Sequence, residues 1–125
     1  MIVAVGVDSV DIARIEGLWQ RGGPRFAQRV LTPAEMHYCV SRQDPAESIA
    51  ARFCAKEAVM KCLGTGWAHG IGFRQIEVMR DENGAVHLEL AGACAARAAE
   101  LGIRRFHLSL THTAATATAF VVAER

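Results

Sequence analysis

The 125-residue chain lacks the features that would assign it to a membrane, a disulfide scaffold or a nucleic acid. Its uninterrupted apolar runs are short, and the opening MIVAVGVDSV carries neither a basic leader nor a small-residue cleavage site, so neither a membrane span nor a signal peptide is expected. The four cysteines, Cys39, Cys54, Cys62 and Cys94, form no CxxC pair. They read as reduced, buried thiols, which argues against a zinc site, while the missing span and leader point to the cytoplasm. A net charge of only +1 argues against non-specific binding to nucleic acid. No internal repeat, low-complexity stretch or interdomain linker interrupts the chain, and 51% hydrophobic residues at this length predict one domain, 1–125, with a core of its own.

Two nucleotide-binding signatures are missing as well. Gly64, Gly66 and Gly70 are spaced GxGxxxG and follow a helix, whereas a dinucleotide fold needs GxGxxG after a strand. The Gly-Lys-Ser/Thr of a Walker loop is absent. The glycine loop keeps two readings: a helix stop followed by a connection, or a cradle of backbone N–H groups for phosphate.

What is present is organised around Ser48–Gly72, SIAARFCAKEAVMKCLGTGWAHGIG. Asp44 at the N-cap, Pro45 at the first helical position, Glu47 three residues after the cap and Gly64 at the stop predict one long helix. Helical periodicity places Ala51, Cys54, Ala55, Ala58 and Cys62 on one small-residue face, suited to close approach by a neighbour. Glu57 and Lys61 share a second face, with Phe53 and Met60 beside them, and Arg52 and Lys56 take a third side. Glu57 and Lys61 read either as a solvated i,i+4 ion pair or as functional groups flanked by apolar residues.

Around this helix, Ile2–Val7 predicts a strand buried on both faces, with Asp8 at its end as either a helix cap or a ligand, and Asp11 competing for the cap. A helix from Ile12 puts Ile12, Ile15 and Trp19 on its apolar stripe and Arg14, Leu18 and Arg21 on another, and Gly22-Gly23-Pro24 ends it. From Gly17 to Leu31 the chain carries Arg21, Arg25 and Arg29 and no acid, which reads as a solvated face or a surface for an acidic partner. Thr32-Pro33-Ala34-Glu35 is a capping box opening a helix to about Ser41. A hairpin turning at Asp81–Gly84, a helix over Ala93–Leu101 and two strands follow, from Phe106 to His112 and then to about Ala123. His112 lies on the side of Phe106, Leu108 and Leu110, where it reads as a core-edge histidine or as a ligand-binding one; His107 falls opposite.

Three separated stretches resemble one family in order: Gly6-Val7-Asp8 with Arg14-Ile15; Arg52-Phe53-Cys54-Ala55-Lys56-Glu57-Ala58 with Lys61 and Gly64-Thr65-Gly66; and Ser109–Thr113. The chain resembles the holo-acyl-carrier-protein synthases, the short, single-unit 4′-phosphopantetheinyl transferases, with Cys54 where the family more often has alanine or serine. The resemblance implies an α+β fold with a small antiparallel sheet packed on a long central helix, assembled as a homotrimer with sites between subunits. It implies transfer of the 4′-phosphopantetheine of coenzyme A to a serine of apo-acyl carrier protein, releasing adenosine 3′,5′-bisphosphate, in fatty acid biosynthesis. Asp8 and Glu57 would hold Mg²⁺, with Mn²⁺ a substitute; Glu57 and Lys61 would be catalytic. Arg52, Lys61, Gly64, Thr65, Gly66 and His112 would bind coenzyme A, and Arg14, Leu18, Arg21 and Arg25 would dock the acidic carrier protein. No nucleic acid or membrane is implied. A carrier-protein or coenzyme A binding module without catalysis is the alternative, disfavoured because Asp8, Glu57 and Lys61 are all present.

Overall fold

Capping chemistry at both ends sets the long helix, as its sequence predicts. In the computed structural model, which describes residues 1–125, it is α4 (Pro45–Leu63): the Asp44 side chain accepts from Glu47 N, and Gly64 closes the helix at φ 74°. Before it come β1 (Ile2–Asp11), α1 (Ile12–Gly22), α2 (Pro24–Val30) and α3 (Pro33–Val40). After it come a 3₁₀ turn (Phe73–Gln75), β2 (Ile76–Arg80), β3 (Val86–Leu90), α5 (Gly92–Glu100), β4 (Arg105–His112) and β5 (Thr116–Glu124).

The main sheet is antiparallel, in the order β1-β5-β4, and its inner face packs on the small-residue face of α4. Ala117, Ala119, Val121 and Ala123 of β5 meet the buried Cys54, Ala55, Ala58 and Cys62 in one core of 28 residues. Contact is closest at Gly6, where a Cβ would lie 2.1 Å from Ala58 O, so only glycine fits. The hairpin β2-β3 forms a separate two-stranded sheet. No helix is long and apolar enough to cross a membrane.

Three local expectations differ from the structure. β1 is not buried on both faces: Val5 and Val7 are 57% and 52% exposed, because α4 covers only the side shared by Gly6, Asp8 and Val10. β1 also runs past Asp8 to Asp11, since β5 continues to Thr116 and pairs with every residue from Ala4 onward; Asp8 therefore faces Ala119 inside the ladder and caps nothing. Finally, Pro24 opens a second helix after the glycine break, and that helix carries Arg25 and Arg29. Asp11 occupies the N-cap position of α1 without making a side-chain bond, while Ile12 N donates to Ala115 O.

Candidate active site

Asp8 and Lys61 come together where β1 crosses the C-terminal half of α4. Lys61 Nζ donates to Val7 O at 2.7 Å and lies 3.3 Å from Asp8 Oδ1. The local i,i+4 ion pair with Glu57 does not form; Lys61 reaches across to the strand instead. Glu57, half-buried one turn earlier, faces the same junction. Burial first, and then the Asp8 carboxylate, push the Glu57 carboxyl above its ordinary range, while Lys61, Trp67 and Arg14 act in the opposite direction.

Two carboxylates and a lysine thus share one corner, and the carboxylates repel one another. Nowhere do three or more His, Cys, Asp or Glu side chains converge to cage a metal. The donor set nevertheless suits Mg²⁺, which is commonly held by one or two carboxylates and completes its shell with water and substrate phosphate. A cation between Asp8 and Glu57 would also relieve the repulsion that raises Glu57. The residues fit the ion.

Of the remaining coenzyme A candidates, Gly66 is exposed and borders neither of two cavities between which the others divide, and those cavities have no lining residue in common. Gly64 and Thr65 border one of about 370 Å³ against α5, beside His69 and Arg97. Arg97 Nε donates to Leu63 O and secures the end of α4 from the outside. Arg52 and His112 border another of about 500 Å³, enclosed by α3, the start of α4 and the end of β4. Twelve residues of helix separate Arg52 from Gly64, an axial rise of about 18 Å. A single subunit does not bring the two groups to one phosphate.

Arg52 is also far more buried than its sequence context suggests. It is 3% exposed, its Nη1 donates to Ser48 O at 3.3 Å, and its Nε has no partner. His112 is exposed, with Nε2 3.3 Å from Glu47 Oε1. The residues that sequence reasoning passed over are Tyr38, Arg42 and Arg80, which line the same cavity from α3, the turn after it and the end of β2. The only available signal was the excess of arginine, and periodicity along one element cannot show that three segments converge.

On the proposed docking face, Arg14, Arg21 and Arg25 are exposed, and Arg14 lies over the Phe53 ring at 5.9 Å. Leu18 is half-buried and packs against the core, so it is part of the fold as well as part of this face.

The remaining buried charge belongs to Lys56, whose Nζ donates to Glu35 at 2.5 Å and to Val30 O at 2.6 Å. Glu35 also accepts from Thr32 N and Val78 N, completing the predicted capping box and tying α3 to β2. Burial lowers the Lys56 pKa, and the Glu35 carboxylate opposes that shift. This network involves no other candidate site residue and reads as structural.

Comparison with known proteins adds a family. The holo-acyl-carrier-protein synthase of Maridesulfovibrio salexigens is 42% identical over 125 residues, covering all of both chains. The crystal structure of the Neisseria meningitidis holo-acyl-carrier-protein synthase is similar over the whole of both chains, with a TM-score of 0.91 and 38% identity. That of the Helicobacter pylori enzyme in complex with coenzyme A covers 97% of this chain and 100% of its own, with a TM-score of 0.84 and 30% identity. Residues 4–119 match the sequence profile of the 4′-phosphopantetheinyl transferase superfamily, a span that takes in the Asp8 strand, all of α4 and the His112 strand, and the chain belongs to that family.

Proposed function

We propose that this chain transfers the 4′-phosphopantetheine group of coenzyme A to a serine hydroxyl of apo-acyl carrier protein, releasing adenosine 3′,5′-bisphosphate, in the fatty acid biosynthesis of the cytoplasm. The observation that carries the reading is the corner of Asp8, Glu57 and Lys61, set within a chain of this family. The reaction joins the serine oxygen to the phosphorus that bears pantetheine and breaks that phosphorus's bond to the bridging oxygen. Phosphoryl transfer is helped chiefly by positioning and by fixed countercharge. Asp8 and Glu57 would hold Mg²⁺, or Mn²⁺ in its place, which would supply countercharge for the pyrophosphate.

Lys61, fixed by Val7 O and Asp8, presents its ammonium to the departing phosphate from the same side. Glu57 is the candidate base for the serine proton. Its carboxylate shares the corner with Asp8 and Lys61, which places an oxygen acceptor beside the reacting groups. Arg52 and His112, with the Gly64-Thr65-Gly66 loop, would hold the phosphates of the nucleotide. Arg14, Leu18, Arg21 and Arg25 would receive the carrier protein, whose acidic surface complements theirs.

Two observations support a homotrimer with sites between subunits. The outer face of the sheet leaves Val5, Val7 and Phe120 exposed, with Val7 and Phe120 paired in register across β1 and β5. Contiguous apolar surface of this kind marks an interface. The division of the coenzyme A candidates between two separate cavities is resolved if one subunit's Arg52 and His112 complete the neighbour's glycine loop.

The test is mass spectrometry of apo-acyl carrier protein incubated with coenzyme A and Mg²⁺, where the phosphopantetheine mass gain is expected. No gain with wild-type protein, or an undiminished gain with EDTA present, overturns the reading. Sedimentation of a fully active monomer overturns the trimer alone.

A further inference from the structure

Four guanidinium–aromatic contacts occur in the chain, and three of them fall on one ring. Arg52 lies 4.4 Å from the centroid of Tyr38, Arg42 5.5 Å and Arg80 5.8 Å. A chain of this length would be expected to hold about two such contacts in all, scattered through it. The three arginines come from the start of α4, the segment just before it and the end of β2, so no local periodicity brings them together. We propose that Tyr38 is a positioning residue of the coenzyme A site, its ring holding Arg42, Arg52 and Arg80 as a preformed cluster of cations for the nucleotide's phosphates. This rests on the coenzyme A reading above.

The cluster is not closed by direct ion pairs, although Glu35 and Glu77 border the depression next to Tyr38, Arg52 and Arg80. None of the three arginines forms an ion pair within the chain. The two carboxylates that line the same cavity are otherwise engaged, Asp44 capping α4 through Glu47 N and Glu47 lying beside His112. Arg80 donates only to Gly84 O and Arg52 only to Ser48 O. Arg52 Nε is buried without any partner, a donor that an anion in the cavity could satisfy. Three mutually repelling cations beside an open cavity of about 500 Å³ are arranged for an anionic ligand.

The negative face of the tyrosine ring offsets part of the repulsion in the absence of that ligand. It also fixes the planes of guanidinium groups that would otherwise disperse into solvent, since Arg42 and Arg80 are both exposed. Tyr38 is itself held in place, because α3 begins at the capping box of Thr32 and Glu35, and Glu35 is anchored by Lys56. The phenolic oxygen makes no side-chain hydrogen bond in this arrangement, so the ring carries the function.

The experiment compares wild type with Tyr38→Leu, which removes the ring, and Tyr38→Phe, which keeps it. Calorimetric titration with adenosine 3′,5′-bisphosphate should give a Kd about tenfold weaker for Tyr38→Leu, equivalent to about 1.4 kcal/mol, and unchanged for Tyr38→Phe. Steady-state kinetics should show the same tenfold rise in KM for coenzyme A, with kcat and the KM for carrier protein within about twofold of wild type. A wild-type Kd for Tyr38→Leu overturns the proposal. Equal losses in both variants overturn it too, as does a Kd change matched by a lowered urea midpoint, since the ring would then serve the fold. If wild-type protein transfers nothing yet binds the bisphosphate with this dependence on Tyr38, the coenzyme A transfer reading fails and the positioning role stands.

Discussion

Two lysines five residues apart on α4 each pair with a distant carboxylate, and they serve opposite ends. Lys56 is fully buried against Glu35 and Val30 O, while the side chain of Lys61 is 54% exposed beside Asp8 and Val7 O. Lys56 belongs to a closed set in which every polar group has a partner, with Thr32 N and Val78 N occupying the remaining carboxylate positions. Lys61 belongs to an open set, exposed to solvent, with a second carboxylate, Glu57, nearby and in no ion pair. Charge alone does not mark a functional site. What distinguishes this one is the partner that the protein leaves missing.

The sharpest way to break the comparison is at the closed end. Lys56→Met leaves the Glu35 carboxylate buried without its counterion, and urea denaturation should show a loss of about 3–5 kcal/mol. Replacing both members, Lys56→Met with Glu35→Leu, should not restore stability, because Thr32 N, Val78 N and Val30 O would each lose a partner at about 1–3 kcal/mol apiece. Recovery to the wild-type midpoint would show that the backbone bonds matter less than the pair.

At the open end the effects should invert. Lys61→Met should lower kcat about 10²–10³-fold, the usual cost of removing one preorganised electrostatic contact in a transition state. Its unfolding free energy from urea denaturation should fall by no more than about 1 kcal/mol, as for other solvent-exposed pairs. Asp8→Asn and Glu57→Gln should each lose transfer activity while the fold persists. A Lys61 variant that unfolds as readily as the Lys56 variant would erase the distinction between the two ends.

A smaller effect is expected on the basic face of α1. Arg14→Glu and Arg21→Glu should raise the KM for carrier protein, leave that for coenzyme A nearly unchanged, and show less effect at high salt, where exposed charges are screened over about 8 Å or less. Leu18→Ala is a less selective probe because Leu18 packs on the core, so its carrier-protein KM is interpretable only beside its urea midpoint.

The smallest effect concerns the thiols that share α4 with these lysines. Burial pushes Cys54 up to about 12 and Cys62 up to about 11, with Asp8 adding to the shift at Cys54. A raised pKa leaves almost no thiolate at pH 8, and thiolate is the form that reacts. Intact-mass analysis after iodoacetamide at pH 8 should find native protein unmodified, Cys39 and Cys94 being buried too, and denatured protein alkylated at all four positions. Rapid native labelling at Cys54 would mean that the sheet opens from α4 beside Asp8.

The sequence by itself determined what lies within a few residues: where α3 and α4 begin, where Gly64 stops α4, the turn at Asp81–Gly84, and the small face that meets the sheet. These features depend on backbone groups bonded to side chains three or four positions away, so local pattern suffices to read them. The family motifs also singled out Asp8, Glu57 and Lys61 before any fold was known. Tertiary structure alone decided which charges are closed off and which are left open. Glu35 finds Lys56 21 residues away and Val78 43 residues away, and Tyr38 gathers arginines from three segments. It also decided that β1 has a bare apolar face, because that depends on what α4 fails to cover. Burial is a property of the surroundings, and for a charged side chain in a packed domain those surroundings are set by segments distant in the chain.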